Sequence, residues 1–194
     1  MSTASKGGQV ISAVDFRKGL KILYKGVPYE IVDFQHSLRG RGRGKVWARM
    51  KNLKTGNVLE ETFSSEEQFE VPDLESKDMQ YLYSDENNYV FMTTDTFEQF
   101  YFPKETIGDA KWFLKEGEVY HIVLWNGMPL SVELPAAVVL KVVETEPAVR
   151  GDTVSNVTKK AKLETGLTIK VPLFIKEGDL VKVDTRTMSY ISRA

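Results

Sequence analysis

The chain has 194 residues, of which 42% are hydrophobic and 27% are charged, and its formal net charge is −1. This composition is typical of a soluble globular protein with one large core or two to three small ones. The chain contains no cysteine, which excludes disulfides, thiol chemistry and cysteine-ligated zinc. No apolar signal segment or stretch of roughly 18 apolar residues is found, so we expect a cytoplasmic protein that does not contact a membrane.

The small net charge conceals three blocks of different sign. Residues 1–72 carry 12 cationic and 8 anionic side chains, residues 73–134 carry 4 and 12, and residues 135–194 carry 10 and 7. Prolines at 72 and 135 lie at the two changes of sign, where they interrupt strand patterns. We therefore predict three modules with these bounds. Each is close to the lower size limit for an independent core, so packing between modules should contribute to stability.

Short β-rich runs follow one another along the chain and predict an all-β fold. They are KILYKGVPYEIVDF (21–34), KVWARMKNLKTGNVLEETF (45–63), MQYLYSDENNYVFM (79–92), VYHIVLWNGMPLSVEL (119–134), VVLKVVETE (138–146), LTIKVPLFI (167–175) and LVKVDTRTMSYI (180–191). Turn signals such as YKGV, DENN, WNGM and KEGD separate or divide them. Many short strands at this spacing indicate barrels or sandwiches. Helical patterning is confined to residues 96–102 and 107–115, each of which we expect to form a short helix or turn.

The segment SLRGRGRGKVWARMK (37–51) concentrates positive charge. Between Asp33 and Glu60 there is no acidic residue, whereas seven basic residues occur there: Arg39, Arg41, Arg43, Lys45, Arg49, Lys51 and Lys54. Such a patch is the electrostatic footprint of phosphate binding, even in a protein of near-zero net charge. A solvated basic face is the alternative, although acidic residues are usually interspersed in such a face.

Residues 28–36 and 45–53 have suitable lengths for the two arms of a hairpin with RGRGRG (39–44) at its bend. Strand alternation in the second arm predicts a core face (Val46, Ala48 and Met50) and a cationic face (Lys45, Trp47, Arg49 and Lys51). Glycine permits a close approach of the backbone to another surface, and arginine binds phosphate bidentately and stacks on bases. Two alternatives remain: a disordered arginine-glycine segment, and a Trp47 that is a packed aromatic rather than an RNA contact.

An enzyme is not indicated. The two histidines, His36 and His121, have no visible partner for acid–base or metal chemistry. The carboxylate pairs at 60–61 and 66–67 are typical of solvated strand and loop charges, and no serine lies in a nucleophile-elbow motif. We expect no catalytic residue, no metal and no cofactor.

Five stretches of the chain resemble bacterial translation elongation factor P. They are DFRKGLKILYKGVPYEIVDFQH (15–36), MKNLKTGNVLEETF (50–63), YLYSDENNYVFM (81–92), LWNGMPLSVELP (124–135), and ETEPAVRGDT (144–153) followed by residues 159–193. The last stretch is the most specific. Its spaced residues fit the family signature: Lys159, Ala161, Gly166, Ile169, Val171, Pro172, Ile175 and Gly178.

The resemblance implies three small β-barrel domains. An SH3-like or KOW-like domain (1–72) is followed by two OB-like domains (73–134 and 135–194), in an L-shaped arrangement that resembles transfer RNA. It also implies a monomer that binds the ribosome between the peptidyl and exit sites, contacts peptidyl-transfer RNA and promotes peptide-bond formation at consecutive prolines. The implied partners are ribosomal RNA and proteins, peptidyl-transfer RNA, and messenger RNA at the exit-site codon.

The resemblance also assigns residues. The hairpin tip that reaches toward the peptidyl-transferase centre falls at Arg41, with Arg43 as the alternative. Many members have lysine there, so arginine implies the arginine-tip branch, in which a glycosyltransferase adds rhamnose to the tip. RNA contacts flanking the tip are implied for Arg39, Gly40, Gly42, Arg43 and Lys45. Contacts with messenger or transfer RNA are implied for Gly151, Asp152, Thr153, Tyr190 and Arg193. A general single-strand RNA-binding protein or RNA chaperone is the alternative function.

Overall fold

The computed structural model describes residues 8–37, 44–147 and 157–194, and nearly all of its regular elements are strands. The first strands are β1 (Val10–Ser12), β2 (Lys21–Tyr24), β3 (Val27–Ser37), β4 (Lys45–Asn52), β5 (Val58–Ser64) and β6 (Gln68–Glu70). Strands β2 to β5 form an antiparallel sheet in the order β2-β3-β4-β5, and β1 pairs with β6. The rings of Phe16, Phe63 and Phe69 pack together between them, with centroids 4.9–6.1 Å apart.

The central sheet has the order β11-β10-β7-β8-β9. Its strands are β7 (Leu74–Ser84), β8 (Asn88–Thr93), β9 (Gln99–Pro103), β10 (Val119–Trp125) and β11 (Met128–Glu133). A short helix α1 (Lys104–Ile107) and a 3₁₀ helix (Gly108–Phe113) connect β9 to β10. The edge strands β9 and β11 contact each other, so the sheet is nearly closed.

The last sheet repeats this arrangement in the order β14-β13-β12-β15-β16, and its edge strands β14 and β16 also contact each other. Its strands are β12 (Ala137–Thr145), β13 (Thr158–Leu163), β14 (Thr168–Pro172), β15 (Leu180–Asp184) and β16 (Ser189–Arg193). Buried and exposed residues alternate along β13 and, up to the half-buried Asp184, along β15, as expected for strands with one face on a core. The predicted all-β, barrel-like fold is confirmed.

The 3₁₀ helix belongs to the central sheet by position in the chain but packs on the last sheet. Phe113 is fully buried in the C-terminal core, whereas the next residue, Leu114, is buried in the central core. Trp112 packs against the C-terminal core as well, and Leu134 contacts both. The two sheets therefore share a core boundary.

A buried tyrosine fixes this crossing segment. The hydroxyl of Tyr120 accepts the backbone N–H of Lys115 at 2.7 Å and donates to the carbonyl of Phe113 at 3.1 Å. Burial raises the pKa of Tyr120 above its ordinary value. On the same segment, the ammonium of Lys115 lies 3.4 Å from Oε1 of Glu164. This oxygen also accepts the backbone N–H of Lys141 at 3.0 Å.

Helix predictions succeeded at one of the two segments. Residues 107–115 are helical up to Phe113, as expected. The prediction for residues 96–102 was wrong beyond the turn, because Gln99–Pro103 is strand β9 and pairs with β8.

Candidate nucleic-acid interface

The predicted hairpin is present. Strands β3 and β4 pair antiparallel from Tyr29 opposite Asn52 to Ser37 opposite Lys45. The burial of β3 decreases along its length, and its last three residues are exposed. Its final pair therefore lies at the end of the hairpin where the chain enters and leaves the arginine-glycine segment.

The two faces of β4 are those that the sequence predicts. Val46, Ala48 and Met50 have no exposed surface, whereas Lys45, Arg49 and Lys51 are exposed and Trp47 is half-buried. The alternation arises because one side of the sheet covers the phenylalanine core. Lys45, the first residue of β4, places a cation at the end of the hairpin.

The cationic face is partly neutralised, which corrects the expectation of an unmixed basic patch. Neighbouring strands place Asp33 and Glu60 opposite Arg49. The guanidinium of Arg49 donates to Oε1 of Glu60 from Nε at 3.1 Å and Nη2 at 2.9 Å. It also lies 5.5 Å from the ring centroid of Trp47, a cation–π distance. The half-buried Trp47 is thus packed under Arg49, and its contact with RNA stays a prediction.

Most of the tip residues lie outside the described residues. These are Arg39, Gly40, Arg41, Gly42 and Arg43, and the same holds for Gly151, Asp152 and Thr153. What the structure describes at the tip is its base, formed by Ser37, Gly44 and Lys45. There the carbonyl of Gly44 accepts the backbone N–H of Ser65 at 2.9 Å, which ties the base to the end of β5.

Two of the assigned C-terminal residues, Tyr190 and Arg193, lie on β16. Tyr190 is half-buried against the C-terminal core, and Nη2 of Arg193 lies 3.7 Å from Oδ1 of Asp179. The turn before this strand is fixed by Asp184, whose Oδ1 accepts the backbone N–H groups of Arg186 and Thr187 at 2.8 and 3.1 Å. These hydrogen bonds lower the pKa of Asp184 below its ordinary value, the bond from Thr187 contributing most.

The histidine interpretation needs correction for one of the two residues. His36 meets the ring of Phe34 edge-on, with centroids 5.5 Å apart. His121, however, has carboxylate partners on both neighbouring strands: Nδ1 lies 2.8 Å from Oδ1 of Asp78, and Nε2 lies 3.6 Å from Oε2 of Glu133. Both partners lie on other strands, so the sequence around His121 did not indicate them. All three side chains are about half exposed, so they form a polar cluster at the surface.

Within residues 8–37, 44–147 and 157–194, no group of three or more histidine, aspartate or glutamate side chains is arranged to hold a metal ion. Over the same part of the chain, no helix has both the length and the apolar character that crossing a membrane requires.

One group of cations escaped the sequence reasoning. Lys160, Lys162 and Lys170 share the outer face of β13 and β14. These lysines are separated by even numbers of residues, and in a strand this spacing indicates side chains on one face.

Comparisons with known proteins agree along the chain. The family model described as the elongation factor P KOW-like domain matches residues 12–69. The elongation factor P OB domain matches residues 74–132, and the elongation factor P C-terminal model matches residues 138–193. The KOW-like and OB-like character predicted for the first two modules is thereby confirmed.

Curated relatives named elongation factor P are similar over almost their whole length. The protein of Oleidesulfovibrio alaskensis is 52% identical over 182 residues, covering 94% of this chain and 98% of that protein. That of Thermodesulfovibrio yellowstonii is 53% identical over 184 residues, covering 95% and 98%.

Solved structures show the same fold at low identity. The eukaryotic translation initiation factor 5A from Methanococcus jannaschii is 19% identical with a TM-score of 0.53, and the match covers 69% of this chain and 97% of that one. Because three family models and relatives of about half identity span the chain, it belongs to the elongation factor P family and is a translation factor, not an enzyme.

Proposed function

We propose that this translation factor binds the ribosome between the peptidyl and exit sites and stimulates peptide-bond formation on peptidyl-transfer RNA stalled at consecutive prolines. The observation that carries the proposal is the β3–β4 hairpin. Its arms end at Ser37 and Lys45, on either side of the arginine-glycine segment, in a chain that is 52% identical to an elongation factor P. The cytoplasm is the compartment in which this work takes place.

The proposed partners are ribosomal RNA and proteins, peptidyl-transfer RNA, and messenger RNA at the exit-site codon. Residues 1–72, 73–134 and 135–194 act as three domains in an L-shaped arrangement. Tyr190 and Arg193 contact RNA at the C-terminal end, together with the segment 151–153.

Arg41 is the proposed tip residue. Its guanidinium keeps its charge at every physiological pH and is a poor nucleophile, and it pairs with phosphate. Its task is to hold the acceptor end of the transfer RNA so that the reacting groups remain in attack geometry, since orientation alone can remove several kcal/mol from a barrier. A glycosyltransferase that adds a rhamnose to Arg41 extends this reach with further hydroxyl groups.

The test is Arg41→Ala in a reconstituted translation assay on a polyproline template. We expect the stimulation to fall about tenfold or more, equivalent to at least about 1.4 kcal/mol of barrier, with unchanged thermal unfolding. The matched control is Arg49→Ala, which removes a hairpin arginine that is already paired with Glu60, and it should keep most of the activity.

Full activity of a folded Arg41→Ala protein contradicts the tip assignment, and Arg43→Ala then tests the alternative. Tight binding of free single-stranded RNA, without relief of polyproline stalling, would instead identify an RNA chaperone. Intact-mass measurement of protein from its native host checks the modification: one added deoxyhexose on the tip peptide is expected.

A further inference from the structure

Three lysines form a continuous cationic surface on the C-terminal sheet, which we call the lysine face: Lys160, Lys162 and Lys170. Lys160 on β13 is the direct antiparallel partner of Lys170 on β14, and Lys162 lies two residues along β13. All three are exposed, while the residues between them, such as Ala161 and Ile169, point into the core.

The pairing of Lys160 with Lys170 lowers the stability of the free protein. Directly opposite side chains of an antiparallel pair have Cβ atoms roughly 4.5–5.5 Å apart, and like charges at this position are destabilising. Within the part of the chain that the structure describes, no carboxylate oxygen lies within 4.0 Å of the three ammonium groups.

Two acidic residues lie near this face. Glu144 is the register partner of Lys162, and Oε2 of Glu146 accepts the backbone N–H of Lys160 at 3.4 Å. Neither carboxylate is paired with a lysine of the face, so its three ammonium groups remain available to an external anion.

We propose that the lysine face binds the phosphate backbone of ribosomal RNA. This inference rests on the proposed function, because it supposes that the protein works on the ribosome. It adds a cationic contact on β13 and β14 that is separate from the arginine-glycine tip and from Arg193 on β16.

The chemistry of the face favours RNA over a protein partner. Lysine is depleted in protein–protein interfaces, whose cores are apolar and aromatic. The outward residues beside the lysines are Thr158 and Thr168, and lysine and threonine both donate hydrogen bonds to phosphate oxygens. Neighbouring outward residues of one strand are roughly 6.5 Å apart, so Lys160 and Lys162 follow one another along β13 while Lys170 lies beside Lys160 on β14. The three cations form a compact patch that can contact neighbouring phosphates.

The lysine face supplies affinity and leaves the reaction rate to the tip. Each lysine that neutralises a phosphate releases counterions, so binding weakens as salt rises. Removing the three lysines should therefore change the affinity and its salt dependence, while the rate at saturating factor stays the same.

The experiment compares Lys160→Gln/Lys162→Gln/Lys170→Gln with a control of equal charge change in the same sheet region, Lys141→Gln/Lys176→Gln/Lys182→Gln, whose lysines are also exposed. Binding of each full-length protein to 70S ribosomes carrying peptidyl-site transfer RNA is measured across a series of KCl concentrations. For the lysine-face variant we expect a Kd about tenfold or more higher near physiological salt, and a slope of log Kd against log salt that is shallower by about 2–3.

Two further readouts accompany binding. The melting temperature of the lysine-face variant should be equal to or above that of the unaltered protein, because the Lys160–Lys170 repulsion is gone. Its maximal rate on a polyproline template should be unchanged. An unchanged Kd and slope, or an equal change in both triple variants, overturns the inference.

The class of partner is tested by crosslinking. The chain has no cysteine, so Thr168→Cys carries a single photoreactive label beside Lys162. A crosslink to ribosomal RNA supports the proposal, whereas a crosslink only to a ribosomal protein, or none, overturns it. If the unaltered protein relieves stalling but the lysine face proves silent, this inference alone fails. If the unaltered protein does not bind ribosomes, the proposed function fails first.

Discussion

The β3–β4 hairpin and the junction between the central and C-terminal sheets differ in how deeply their key residues are buried. The hairpin leaves its core: the last three residues of β3 are exposed, and its final pair is Ser37 with Lys45. The junction does the reverse, because Phe113 of the central segment is fully buried in the C-terminal core. One region ends in exposed residues that include the cation Lys45, and the other packs a residue of one sheet's connection into the core of the next.

From this difference we expect stability and function to depend on different regions. Substitutions at the end of the hairpin remove few buried contacts and should affect activity without affecting folding. Substitutions at the junction should act on stability first, because a buried aromatic ring contributes several kcal/mol.

The strongest test of the comparison is Phe113→Ala. Removing a fully buried ring should reduce the free energy of unfolding by about 3–5 kcal/mol. The loss should appear in the C-terminal sheet, although the residue precedes β10 in the chain. Hydrogen exchange should therefore show reduced amide protection over residues 138–145 and 158–183.

Phe102→Ala is the matched control, since Phe102 is equally buried but lies in the central core. It should reduce protection over residues 74–133 first. If Phe113→Ala has the same exchange pattern as Phe102→Ala, the assignment of Phe113 to the C-terminal core is wrong.

Tyr120→Phe tests the hydrogen bonds that hold the crossing segment. It leaves the N–H of Lys115 and the carbonyl of Phe113 without the hydroxyl, so we expect a loss of about 1–2 kcal/mol in urea unfolding. The exposed Tyr101→Phe should have no measurable effect.

The same substitution has a pH signature. Burial raises the pKa of Tyr120, so the unfolded chain loses this proton first and stability decreases as pH rises above about 10. Part of that decrease should be absent in Tyr120→Phe. An identical alkaline profile for the two proteins would contradict it.

A smaller effect is expected on the hairpin side. Arg49 and Glu60 are each about half exposed, and exposed ion pairs contribute roughly 0.2–1 kcal/mol. A double-mutant cycle with Arg49→Met and Glu60→Gln should give a coupling energy in this range that decreases at high salt. A coupling energy well above this range would mean that the ion pair stabilises the hairpin more than an exposed pair is expected to.

The smallest effect concerns Asp184. Because backbone hydrogen bonds lower its pKa, the carboxylate contributes stability above the unfolded pKa of about 3.9, and this contribution is lost as pH falls through the lower folded pKa. Asp184→Asn should therefore be slightly less stable than the unaltered protein at neutral pH, and the difference should vanish in acid melts. A difference that persists at low pH would point to a cause other than charge.

Local patterns made much of the fold predictable. The alternation of Val46, Ala48 and Met50 predicted the faces of β4, and all three are buried. The Asn126-Gly127 dipeptide predicted a tight hairpin, and both residues have positive φ, 50° and 77°, as a type I′ turn requires.

What the sequence could not predict depends on contacts between distant residues. His121 acquires Asp78 from 43 positions away, and Arg49 acquires Glu60 across a strand pair. Neither pairing has a local signature, because strand register decides it. The burial of Phe113 against another sheet also depends on contacts between distant residues. The tip residue was assigned from the family resemblance.

The burial of Phe113 in the C-terminal core limits how this chain can be divided and recombined. A gene exchange that cut at residue 134 would separate residues 135–194 from Phe113, the ring that completes their interior. The recipient would need its own aromatic group at that place. A fragment that keeps the C-terminal barrel intact must therefore begin upstream of residue 108. That starting point lies within the part of the chain that belongs to the central domain by sequence position.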